Sequence, residues 1–127
     1  MIADGTHGEV QRALQERLLQ AHGFRVVSND GQVLGSMTNL WTDGDVPQFL
    51  GLLANRTLQS ARPVPCTADV RVDFGTATVY LPHSARTVQR APRLRINHAL
   101  TPASRLRICR HYGVDLSDLP VGTKDSE

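Results

Sequence analysis

Apolar residues recur at helical spacing between Gly8 and His22. Val10, Ala13, Leu14, Leu18 and Ala21 alternate with Gln11, Arg12, Gln15, Glu16 and Gln20. That spacing places one apolar stripe on one side of a helix, and Gly23 is suited to end it. From Gly23 the period shortens to that of strands. "FRVV" and "QVLGSMTNLW" flank Ser28-Asn29-Asp30-Gly31, and Asp-Gly is a strong hairpin signal. In the second strand Val33, Gly35, Met37 and Trp41 fall on one face, and Leu34, Ser36, Thr38 and Leu40 on the other. Gly35 inside the strand predicts a bulge or sharp bend. "TDGDVP" reads as a turn, "QFLGLLA" as a short apolar strand, and Asn55 to Ser60 as a loop. "RPVPC" is extended, because each proline biases its predecessor away from helix. Its two prolines fit an edge or rim better than a central strand. "DVRVD" and "TATVYL" flank Phe74-Gly75 as a second hairpin, and "PHSARTVQRAP" has room for one helical turn.

The last element returns to helix. Thr101 is a suitable N-cap, Pro102 a favoured first residue and Gly113 a suitable C-terminal stop. Residues two apart on such a helix point about 160° apart. Cys109 and His111 therefore do not share a face. Leu106, Ile108, Cys109 and Tyr112 form the inward side. Arg105 projects from that side and must reach out of it. Arg107, Arg110, His111 and Ser104 face outward. Residues 115–127 read as a flexible acidic tail.

Taken in order, the chain divides into a helical extension at 1–22, a strand-rich unit at 23–93, a connector and helix at 94–114, and the tail at 115–127. The strand-rich unit resembles the PRC-barrel family, named for the H subunit of the photosynthetic reaction centre and present also in a ribosome maturation factor. The matching pieces are Gly23 with Val26 and Val27, Asp30-Gly31, Leu34-Gly35, Pro65 and the closing Ala91-Pro92. His111-Tyr112-Gly113 is similar to an ending found in some members. The resemblance implies a mainly β fold: a small, strongly bent, six-stranded PRC-like β-barrel with short N- and C-terminal helices. It also implies no catalysis, since members of that family serve as docking modules for proteins, RNA or one another.

Composition narrows the classes. The 127 residues suit one domain, and 40% hydrophobic content is too high for a disordered chain. No apolar run reaches the roughly 18 residues of a membrane span, and no secretory signal pattern is visible at the start. Cys66 and Cys109 make no disulfide framework, so the expectation is a cytoplasmic protein. Charge is uneven. Residues 74–114 carry seven arginines and no acid, between two mildly acidic segments, although the whole chain is only +2. A concentrated positive field favours anionic partners.

No motif specifies a reaction. There is no CxxC or HxxxH for zinc, no GxSxG elbow around Ser36 or Ser84, no P-loop, and no complete calcium loop at Asp43 and Asp45. No catalytic, cofactor-binding or metal-binding residue is assigned, and no cofactor is expected. The candidate surface for an anionic partner is Arg93, Arg95, Arg105, Arg107, Arg110 and His111. The reading is a non-enzymatic, PRC-barrel-like protein-interaction or assembly module, expected to form a homodimer. The alternative is a ribosome- or RNA-associated factor that binds through the arginine-rich segment 86–110.

Overall fold

The computed structural model describes residues 16–43, 46–53, 60–95 and 100–120. Seven strands form the sheet among them: β1 (Arg25–Val27), β2 (Val33–Asp43), β3 (Val46–Leu53), β4 (Ser60–Pro65), β5 (Arg71–Asp73), β6 (Thr78–Tyr80) and β7 (Leu94–Arg95). Their order is β5-β6-β1-β2-β3-β4-β7. All neighbours are antiparallel except β1 and β6, which run parallel. The fold is mainly β, as expected. Six strands make a curled half-barrel, and the two-residue β7 extends it beside β4.

The curl follows from irregular register. Val26 pairs with Gly35 but Val27 with Val33, which leaves Leu34 as an extra residue. Gly35, at φ 146°, supplies the backbone for that bulge. Further register shifts fall between Met37 and Asn39 and between Trp41 and Thr42. These shifts also correct the face assignment in β2. Met37 and Trp41 are buried, but Val33, beyond the first bulge, is 60% exposed. Along β3, Val46 to Leu52 are buried on both faces, in keeping with the continuous apolar run of that segment.

Helices close the structure. α1 is helical at residues 16–19, and the expected helical residues before it lie outside the described residues. α2 (Ala85–Gln89) is capped by Ser84, whose side chain accepts from the Thr87 N–H. The β1–β2 turn is tied to the same helix, because Asp30 Oδ1 accepts from the Ala85 N–H at 3.2 Å and from the Ser28 hydroxyl. The carboxylate lies where a helix N-terminus favours negative charge, and these bonds, the Ser28 hydroxyl above all, hold its pKa below the usual value. α3 (Pro102–Tyr112) has the predicted ends. Thr101 Oγ1 accepts from the Ser104 N–H at 3.1 Å, and Gly113 is left-handed at φ 69°.

Leu18 and Ala21 beside α1, Val88 of α2, and Ile108, Cys109 and Tyr112 of α3 share one core with Val26, Met37, Phe49, Leu50 and Val64 of the sheet. Both terminal helical regions thus cover the chain's own sheet. The segment expected to fray from residue 115 does not do so at its start. Leu116–Asp118 form one 3-10 turn, Leu119 is buried, and Pro120 O accepts from Gln48 Nε2 at 2.8 Å. Burying Leu119 and giving the buried Gln48 Nε2 an acceptor hold these residues down. Residues 121–127 lie outside the described residues.

Candidate binding surface

α3 decides what the stretch from Arg107 to Val114 can do. Ile108, Cys109 and Tyr112 are buried as predicted. Leu106 is not: it is 47% exposed. The buried arc is rotated toward Tyr112 and His111, and Leu106 falls at its edge. His111, expected to face outward, is half-buried instead. Its Nε2 lies 2.7 Å from Thr87 O at the end of α2, and its ring meets Tyr112 edge-on at 5.1 Å. The Tyr112 hydroxyl donates to Pro63 O at 2.7 Å. That carbonyl belongs to the proline-rich end of β4, beyond the short β7 ladder, so the tyrosine satisfies a sheet-edge acceptor. Burial pushes the Tyr112 phenol up, away from ionisation.

The cysteines are packing residues. Both are free and buried. Desolvation raises the Cys66 thiol, and burial raises Cys109 with Asp115 and Asp118 adding to the effect. A thiol held protonated is a poor nucleophile and a poor metal ligand. Among the described residues no group of three His, Cys, Asp or Glu could hold a metal ion.

An open groove of about 560 Å³ runs between Thr67–Asp69, Pro82–His83 and the end of α3, with Ser117 and Asp118 on its far wall. His83 stacks against Tyr112 with ring centroids 4.6 Å apart. Its Nε2 is buried without a hydrogen-bond partner. Burial holds His83 below the usual histidine value, with His111 acting in the same direction and Asp69 opposing. The ring is therefore neutral at pH 7 and contributes mainly packing.

The predicted arginine surface is only partly one surface. Arg107 and Arg110 are exposed on α3, and Arg93 is exposed before β7. Arg105 is half-buried, with an unpartnered Nε. Arg95 lies in β7 opposite Ser60, with its side chain outside the described residues. Arg86, Arg90, Arg93, Arg105, Arg107 and Arg110 make no ion pair among the described residues. The acidic segments therefore do not neutralise them there.

Sequence reasoning missed Arg62. It is half-buried on β4, and its Nε donates to Gln89 O at the end of α2 at 3.2 Å. Burial, and then the nearby Arg93 charge, lower its pKa from the ordinary arginine value. Nothing local in "SARPVP" signals this, because its neighbours, Gln89 at the end of α2 and Arg93 before β7, are distant in sequence. No protein-family model matches the chain, and no curated protein matches its sequence. Among the described residues no helix is long and apolar enough to cross a membrane.

Proposed function

We propose that this chain is a non-enzymatic, PRC-barrel-like interaction module that assembles with protein partners, including a second copy of itself. The contrast between the two sides of α3 carries this reading. On the inner side, the groups able to do chemistry are engaged in structure: Cys109 in the core, the Tyr112 hydroxyl on Pro63 O, and His111 on Thr87 O. On the outer side, half-exposed Leu106 lies next to exposed Arg107. An apolar anchor beside arginine is a combination typical of binding surfaces. The curled, mainly β sheet supports the PRC-barrel-like part of the reading, and the two buried free thiols support a reducing, cytoplasmic setting. Light scattering on the concentrated full chain tests self-association. A dimer that Leu106→Arg converts to monomer is the expected result. A strictly monomeric wild-type chain removes the homodimer from the reading.

One observation favours a second reading, a ribosome- or RNA-associated factor. The arginines of α2, the connector and α3 have no carboxylate partner among the described residues. Retention of RNA at low salt, lost as salt rises, is the expected result. A wild-type chain that retains no RNA at low salt ends this reading.

A further inference from the structure

The β4–β7 ladder ends beside two arginines, Arg62 on β4 and Arg93 just before β7. Ser60 pairs with Arg95 and Ala61 with Leu94. Arg62 and Arg93 each follow outward from the Ala61–Leu94 pair by one residue, and the Arg93 charge acts on Arg62. Like charges held close across neighbouring segments are destabilising, and neither arginine makes an ion pair with a carboxylate among the described residues. Arg62 is also oriented. Its Nε is spent on Gln89 O at 3.2 Å, and among the described residues its terminal N–H groups have no acceptor. Exposed Arg90 follows the carbonyl that holds Arg62.

A fixed guanidinium with a second one close by matches the fork geometry by which arginine grips oxyanions. The surrounding charge indicates which oxyanion. Protein–protein interfaces intersperse both signs to fix register. Here residues 74–114 carry seven arginines and not one acid. Single-sign charge spread over neighbouring elements suits a uniformly anionic backbone, whose phosphates are gripped mainly by arginine and lysine.

We propose that Arg62 and Arg93 form a phosphate clamp for a nucleic-acid backbone, with Arg90 extending it. The clamp rests on the second reading above and moves its centre from α3 to the β4–β7 ribbon. It gives the two close arginines a role: a repulsion borne by the free protein is relieved when a phosphate enters between them.

The test is fluorescence anisotropy of the full chain with a labelled single-stranded RNA across a salt series, alongside thermal melts. Arg93→Ala is expected to weaken binding about tenfold and to reduce the slope of log affinity against log salt by about 1. Arg93→Glu is expected to raise Tm, by pairing with Arg62, and to abolish binding. An Arg107→Ala/Arg110→Ala variant is expected to lose less affinity than Arg93→Ala alone. If RNA binds but the Arg93 variants match wild type while the α3 variant loses affinity, the clamp is wrong and the second reading survives. If wild type binds no RNA at low salt, both fall. If a poly-glutamate peptide binds in an Arg93-dependent way and RNA does not, the clamp takes carboxylates and the nucleic-acid assignment is overturned.

Discussion

On α3, Arg107 and Arg110 project into water from the second half of a helix, and Arg110 lies in its last turn. The free carbonyls there favour positive charge. At the end of the β4–β7 ribbon, Arg62 and Arg93 lie close enough for their charges to oppose each other, with Arg62 half-buried. The residue type is the same and the setting is opposite. Charge on the helix is compatible with stability alone, whereas charge on the ribbon opposes it. The comparison teaches that counting arginines along a segment locates a field but not a site. A site begins where the fold holds a charge against its own preference.

Four tests probe that comparison. The largest acts on the helix core. Ile108→Ala deletes a fully buried side chain and should cost about 2–5 kcal/mol, read from the urea midpoint. Tyr112→Phe acts on the joint between the two regions. It leaves Pro63 O without its donor and should cost about 1–3 kcal/mol, with hydrogen exchange rising along β4.

Acidification comes third. His83 is neutral in the fold because burial holds its pKa below the ordinary histidine value of 6.5. The unfolded chain therefore takes up the proton first, and stability should fall as pH drops through 6.5 toward the folded value. His83→Gln should flatten that decline, as measured by urea midpoints at neutral and mildly acidic pH. A decline of unchanged steepness would mean that other groups carry it.

The smallest effect is the most diagnostic. Arg110→Glu should lower stability by about 0.3–1 kcal/mol, because it puts a negative charge at a helix C-terminus. Arg93→Glu should raise stability by about 0.2–1 kcal/mol, because it replaces a like-charge pair. Matched thermal melts that move in the same direction would erase the distinction between the two regions.

Elements specified by neighbouring residues were legible in the sequence. Thr101, Pro102 and Gly113 marked both ends of α3, Gly35 marked the bulge in β2, and Asp30-Gly31 marked the first turn. The parity of β2 was misread at Val33 because a bulge shifts every residue beyond it to the other face. Leu106 and His111 were misassigned for a related reason. The periodicity of α3 gives the angle between residues, but the surface it packs on sets where the buried arc is centred. Thr87 O drew His111 in. The closeness of Arg62 and Arg93 was illegible, since it depends on a pairing between segments that share no local signal. The second role of Asp30, accepting from the first N–H of a helix 55 residues away, was hidden in the same way.

The parallel pairing of β1 with β6 has a consequence in time. Val26 is joined to Gly35 by a short hairpin, but its other neighbour is Val79. Closing that second contact means bringing together ends more than fifty residues apart, and such closure is entropically costly and slow relative to a hairpin. During synthesis β1 through β4 can zip up as their residues emerge. One edge of β1 stays open until the strand ending at Tyr80 arrives. The half-barrel is a structure whose first strand is completed nearly last.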